Sequence, residues 1–308
     1  MLSSLSLKSV LRWSVRVLAT LALLWGICQF IPARGAVRGT NPFRAPAAGR
    51  PLIIAHAGGA GLNPANTLEA FAGSVELGCD MLEMDVRLTK DGVLVTHHDA
   101  TIERTSDGAG AVFDHTLAEL KALNFGYYFL DAAGGQPFRE RPAHLAALEE
   151  LFQTYRTMPM TIEIKDRGET GRQAGAVLAG LIAKHQMRGR VLVASFDDAT
   201  LDAFRQVAGP DVATSTARGQ TRSFVLLNLL RLDRLWAGGV MAAQVPADPH
   251  EAGGFDLTRP GFIRAAHARN MAIHFWTVNE PAEMLRLIAL GADGIVTDYP
   301  DRARRLGR

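Results

Sequence analysis

The sequence predicts an α/β fold in which eight parallel strands close into a (β/α)8 barrel wrapped by helices. Two observations carry this expectation. From residue 51 onward, short apolar runs rich in Val and Ile alternate with stretches of helical periodicity. Eight such runs occur, and eight units in about 250 residues is the count of a closed barrel. A doubly wound sheet is the fallback, and it has no need of the eighth strand.

The strand candidates are Leu52–Ala57, Met81–Arg87, Met160–Lys165, Val191–Phe196, Val212–Thr216, Val240–Val245, Ala272–Val278 and Gly294–Asp298. Helical patterns fall between them at Thr67–Leu77, Gly171–Met187, Ala199–Val207, Ser223–Trp236, Gly261–Ala268 and Pro281–Leu290. One piece breaks the alternation. After the second strand, Thr89-Lys90-Asp91-Gly92 reads as a tight turn and Val93–His98 as a returning strand, a hairpin added at the barrel mouth. Residues 105–143 follow as an insertion with one helical stretch, Thr116–Leu123, and a Gly- and Pro-containing tract, Ala132–Pro142. A long excursion of this kind is usually functional or mobile.

Ahead of the barrel, seventeen uncharged, mostly apolar residues separate Arg16 from Arg34. That is about the least that spans a bilayer as a helix. Trp25 and the flanking arginines suit the interfaces. A cleaved signal peptide, cut near Ala33 and Gly35, is the rival. The reading favours an uncleaved anchor over residues 1–35, with a cytoplasmic N-terminus and an exported body. Residues 36–50 read as a linker and 51–308 as the barrel.

Hydrophobic residues make up 48% and charged residues 21%, which excludes disorder or a coiled coil as the main state. Residues 1–50 carry seven basic residues and no acidic one, leaving 26 basic against 31 acidic in the body. No basic field for nucleic acid remains. The two cysteines, Cys28 and Cys79, exclude a disulfide framework and a Cys-based zinc site.

The chemistry is expected at the carboxyl ends of the strands. His56 ends the first strand, and Gly58–Gly61 follows it. Glu83 and Asp85 lie on the second strand, and the hairpin ends in His97, His98 and Asp99. Glu163 and Lys165, Ser195, Gln244, His274 and Trp276 come from later strands. Residues two apart on a strand share a face, so Glu83 pairs with Asp85 and Glu163 with Lys165. Three carboxylates inside one barrel repel and are poorly solvated unless a cation joins them. An all-oxygen set suits Mg²⁺ or Ca²⁺. The alternative is pairing with Lys or Arg at the rim, but Lys165 alone cannot neutralise three acids. His56 and His98 at one mouth are a candidate acid–base pair. His97 points to the opposite face, and His274 reads as a structural histidine. Asn66 or Thr67 caps the helix that starts beside His56, a position open to an anion.

The run His56-Ala57-Gly58-Gly59, Pro64-Ala65-Asn66-Thr67, Glu83-Met84-Asp85-Val86, Thr89-Lys90-Asp91-Gly92 and His98-Asp99 resembles the glycerophosphodiester phosphodiesterase family. So do Ile162-Glu163-Ile164-Lys165, Ala194-Ser195-Phe196, Trp276-Thr277-Val278-Asn279 and the stretch from Gly291 to Pro300. The likeness covers roughly residues 52–301. It implies a TIM barrel and metal-assisted hydrolysis of glycerophosphodiesters to glycerol 3-phosphate and an alcohol. It makes Glu83, Asp85 and Glu163 the metal ligands, His56 and His98 the acid–base pair, and Lys165 a phosphate neighbour. Asn66, Gln244 and Trp276 are expected to contact substrate or phosphate. Two positions depart from the pattern: Ala57 stands where the family usually has Arg, and Ala65 where it has Glu. Losing that Arg removes a bidentate phosphate donor. A lysophospholipase D-like or sphingolipid activity on the same barrel is the alternative that the anchor motivates. A non-catalytic phosphodiester-binding module is a third reading, supported only by Ala57.

Overall fold

The computed structural model describes residues 7–46 and 49–306. Helix α1 (Leu7–Cys28) comes first, followed by β1 (Leu52–Ala55), α2 (Leu68–Glu76), β2 (Met81–Leu88) and β3 (Leu94–Thr96). Then come α3 (Leu117–Lys121), α4 (Leu148–Thr154), β4 (Met160–Ile164), α5 (Gly168–Lys184), β5 (Val191–Ala194), α6 (Asp198–Ala208) and β6 (Ala213–Thr214). The chain ends with α7 (Arg218–Leu229), β7 (Ala242–Pro246), α8 (Pro260–His267), β8 (Ala272–Trp276), α9 (Pro281–Leu290), β9 (Gly294–Thr297) and α10 (Pro300–Leu306).

Eight parallel strands run in the order β6-β5-β4-β2-β1-β9-β8-β7, with β3 antiparallel on β2 as the expected hairpin. The seam between β6 and β7 is closed by the Ser215–Ala242 bridge and by Thr216 N–H donating to the Ala242 carbonyl at 2.9 Å. The ring is therefore a nearly closed barrel.

Alternation along each strand sorts the residues. Leu82, Met84 and Val86 of β2, and Met160, Ile162 and Ile164 of β4, face the helical layer and join the main core. Inside the barrel, Ile54, Met81, Leu192, Ala242, Ala272 and Val296 make a small apolar plug. Above that plug the inward positions turn polar, and this change in the lumen is what makes room for a site.

Residues 36–46, expected as a linker, lie across the barrel floor. Phe43 is 1% exposed and belongs to the inner plug. Asn41 Nδ2 donates to the carbonyls of Met241 and Asn270, both at 2.7 Å, where β7 and β8 begin. His274 is fully buried and donates from Nε2 to the Phe43 carbonyl at 2.8 Å, so its structural reading holds. Phe43→Ala is expected to lower stability by about 3 kcal/mol, because it opens a cavity at the floor. A thermal melt is expected to show this as a fall of roughly 6–12 °C.

Two helices lie outside the sequence expectation. In α4, Leu148, Leu151 and Phe152 are buried at helical spacing. Helix α10 tucks Ala303 against the core. Helix α7 starts five residues before the expected Ser223, because Gln220 Oε1 accepts from the Ala217 N–H at 3.2 Å. It stops at Leu229, and Arg231 takes a left-handed φ of 54°. Val112, Leu120 and Phe125 of the insertion pack with Val95, Ile102 and Leu145 on either side of it into a separate small core. A capping box between Thr116 and Glu119 starts α3 there.

Candidate active site

The site begins with strand register. Asp85 of β2 lies directly opposite Glu163 of β4, and Glu83 follows on the same face of β2. One carboxylate oxygen from each of the three lies within 4.8 Å of the others. Lys165, just past β4, spans two of them, with Nζ 3.1 Å from Asp85 and 2.9 Å from Glu163. Glu83 has no such contact with a lysine or arginine among the described residues; the Ala57 N–H donates to its Oε2 at 2.7 Å. Burial, reinforced by the Asp85 charge, pushes the Glu83 carboxyl up to about 7. Burial also raises Glu163, with Lys165 opposing. Asp85 moves the other way: burial works against its charge, but Lys165, His98 and Asn66 outweigh it. Two buried acids and the largely covered Glu163, with one lysine, leave net negative charge in the lumen, and an oxygen-only donor set of this size fits a hard divalent cation.

His56 follows β1 directly. Its Nδ1 is 2.6 Å from Asp298 Oδ1 at the end of β9. Asn279 Nδ2 donates to Asp298 Oδ2 at 2.7 Å, and Asn279 Oδ1 accepts from the Asp298 N–H at 2.9 Å. The carboxylate thus selects the Nδ1–H tautomer and leaves Nε2 free for chemistry. Burial opposes a charge on His56, yet the Asp298 hydrogen bond and the nearby acids prevail and push it up to about 9. Asp298 is held below the usual carboxylate range: burial raises it, and the His56 contact overcomes that.

His98, past the end of β3, is half exposed. Its Nδ1 lies 2.7 Å from Asp99 Oδ1, and Asp99 also takes Arg104 Nε at 2.5 Å. Arg87 donates to the His98 carbonyl and, from Nη1, to Asp166 at 2.8 Å, which fixes the backbone beneath the ring. His98 acts electrostatically on Asp85 and Glu163, and His56 on Glu83, so the two histidines flank the acid cluster. A cavity of about 760 Å³ opens beside it, lined by His98, Glu163, Lys165, Ser195, Phe196 and Arg218 among others. His97 is buried against the Thr101 carbonyl, away from the cluster.

The remaining expected contacts are distributed differently. The Asn66 side chain holds Asp85 at two points: Nδ2 donates to its carboxylate at 2.9 Å, and Oδ1 accepts from its N–H at 3.1 Å. Asn66 therefore positions Asp85, with one N–H of its amide used on that carboxylate. Thr67 is the cap of α2, accepting from the Ala70 N–H. Gln244 reaches across the lumen to Thr161 Oγ1 at 3.2 Å, and Thr161 lies in register with Glu83. Trp276 lies at the mouth, edge-on to Phe196 with ring centres 5.7 Å apart. Asp298, Asn279, Arg87 and Asp166 were absent from the expected site. Ala57 itself is buried with a left-handed φ of 45°, which aims its N–H at Glu83.

A family model described as the glycerophosphoryl diester phosphodiesterase family matches residues 56–302. A glycerophosphodiester phosphodiesterase of Caldanaerobacter subterraneus subsp. tengcongensis is 31% identical over 259 residues, covering 83% of this chain and 98% of that protein. One from Bacillus subtilis is 28% identical over 300 residues, covering 93% and 96%. Among solved structures, the glycerophosphoryl diester phosphodiesterase domain of a Mycobacterium tuberculosis protein superposes with a TM-score of 0.73 at 20% identity, over 84% of this chain and 100% of that one. An Oleispira antarctica phosphodiesterase, solved with its product sn-glycerol-3-phosphate, gives 0.66 at 24% identity, over 84% and 96%. These two structural likenesses speak to the fold. The family match runs from the first catalytic-site candidate, His56, into α10, and the chain belongs to the glycerophosphoryl diester phosphodiesterase family.

Proposed function

We propose that this chain hydrolyses glycerophosphodiesters to glycerol 3-phosphate and an alcohol, with a divalent cation, Mg²⁺ or Ca²⁺, held by Glu83, Asp85 and Glu163. One observation carries this reading: three carboxylates, two buried and one largely covered, converge within 4.8 Å between two histidines that each have a carboxylate behind them. When bound, such a cation supplies positive charge that stabilises the developing charge on the phosphate. His56 and His98 form the acid–base pair, each working through Nε2. One takes the proton from the attacking oxygen, which is water or the glycerol hydroxyl; in the second case the product of the step is a cyclic phosphate, which water then opens to glycerol 3-phosphate with the two histidines in exchanged roles. A P–O bond forms to that oxygen, the P–O bond to the alcohol breaks, and the other histidine returns a proton to the departing alkoxide. Lys165 contacts the phosphate in place of the missing arginine at position 57, and Arg218 lines the same cavity.

We read α1 as a membrane anchor and the barrel as lying outside the cytoplasm. Its segment Leu11–Cys28 has a mean hydropathy of 1.4, and none of it is buried against the body.

The test is hydrolysis of glycerophosphocholine by the full chain in detergent, with and without chelator. Activity that survives complete chelation removes the cation from the reading. Asp298 is a positioning residue here, and Asp298→Asn is expected to reduce kcat by roughly 10²-fold or more, as loss of the orienting carboxylate does elsewhere. The limb of the pH–rate profile that belongs to His56 is expected to move down, because the substitution removes the partner that raises it. A kcat loss with an unmoved profile assigns Asp298 a merely structural part.

A further inference from the structure

The two ends of the barrel differ in more than chemistry. The acids and histidines occupy the carboxyl ends of the strands, whereas everything joined to α1 crosses the opposite end. Trp25 Nε1 donates to the Leu230 carbonyl at 3.0 Å, and Gln29 Nε2 to the Arg231 carbonyl at 2.8 Å. The Arg34 N–H donates to the Arg234 carbonyl at 2.9 Å, and Arg234 Nη1 to the Ile31 carbonyl at 2.7 Å. Residues 37–45 then run under the starts of β7, β8 and β9. The end of α1 is thus fastened to the end of α7.

Two features surround that junction. Leu226, Leu229 and Leu230 are 54%, 44% and 61% exposed, and their spacing puts them on one face of the helix end. Beside them is a cleft of about 600 Å³ lined by Arg231, Arg234, Arg259, Arg264 and Arg269, with Asp233 as its one acid. Exposed leucines next to an arginine-rich cleft with a single acid are chemistry for a lipid surface, acyl chains under anionic phosphate head groups. The chain itself brings this face to the end of α1, the one candidate spanning helix among the described residues, which argues for the bilayer as the occupant.

We propose that the floor of the barrel, through the end of α7 and the arginine cleft, rests on an anionic bilayer, so that the active-site mouth opens away from the membrane. This rests on the reading of α1 as an anchor. Its consequence for substrate is definite. The mouth lies about 20 Å further from the lipid, the rise of a strand of six or so residues. The enzyme therefore takes a water-soluble, deacylated glycerophosphodiester rather than a lysolipid still seated in the bilayer.

The full chain, with Cys28→Ala, is reconstituted into phosphatidylcholine vesicles with and without phosphatidylglycerol. A fluorophore is placed through Leu230→Cys or, at the mouth cavity, through Phe113→Cys, and lipids with quenching groups report contact. The expected result is quenching at 230, stronger with phosphatidylglycerol, and none at 113. Arg231→Gln with Arg264→Gln is expected to abolish the gain from phosphatidylglycerol. Quenching at 113, or at neither position in a chain that co-floats with vesicles, overturns the proposal and leaves the anchor standing. A chain that does not float with vesicles overturns the anchor and the proposal together. In the same vesicles, glycerophosphocholine is turned over and embedded lysophosphatidylcholine is not; equal turnover of both overturns the orientation. Absence of both activities sinks the hydrolase reading, and the quenching still decides the orientation.

Discussion

Replacing either His56 or His98 with alanine is expected to lower kcat/KM for glycerophosphocholine by about 10³-fold, within the range that proton transfer by a positioned side chain contributes. The two losses arise differently. Removing His56 also strands Asp298, whose charge is held by the imidazole contact at 2.6 Å. Removing His98 leaves Asp99 paired with Arg104. His56→Ala is therefore expected to cost some stability as well, whereas His98→Ala, at a half-exposed ring, is expected to melt as the parent does. Residues that act as one unit are not additive, so the double variant is expected to be little worse than either single one. Steady-state kinetics on the three variants check this. Near-parental rates in either single variant remove that histidine from the acid–base pair, and a fully multiplicative double variant means that the two do not serve one proton path.

Much of this arrangement was legible because it rests on short-range geometry. Glu83 and Asp85 share a face through the two-residue period of a strand, and Glu163 and Lys165 do so for the same reason. What was not legible depends on long-range pairing. Asp298 meets His56 across 242 positions of sequence, and only the closure of β9 onto β1 brings them together. One sequence signal for it existed: an acid ending the last barrel strand, at the same level as the histidine ending the first. Asn66 stands near a helix start, which is why a phosphate contact is expected of it; that its left-handed φ of 60° also turns it to Asp85 leaves no trace in the sequence. The segment before the barrel read as a tether because Gly, Pro and Ala carry no periodicity. Phe43 was its one large apolar residue near the barrel, and a single buried ring leaves no periodic trace.

Raising the pH from 6 to 8 is expected to increase sharply the stabilisation that Mg²⁺ or Ca²⁺ confers, and Glu83→Gln or Glu163→Gln is expected to remove most of it. The sign follows from the carboxyl groups. Burial and Asp85 push Glu83 up to about 7 in the ion-free protein, above its unfolded value. Glu83 thus contributes stability below pH ~4.5, and that contribution is lost as the pH climbs through about 7. His56, raised to about 9, contributes in the same direction, fully below pH ~6.5 and no longer above 9. The ion-free protein is therefore expected to weaken towards alkaline pH. A bound cation replaces the proton on Glu83, so each pH unit below 7 is expected to reduce its apparent affinity by about tenfold, and by more if Glu163 also takes up a proton. At a cation concentration of ~100 times Kd the bound form gains about 2.7 kcal/mol, which a melt reads as roughly 5–10 °C. Thermal melts at both pH values, with each ion and with chelator, check the prediction, and titration calorimetry gives the affinity. An equal cation effect at pH 6 and 8, or one undiminished in Glu83→Gln, places the ion somewhere other than among these three acids.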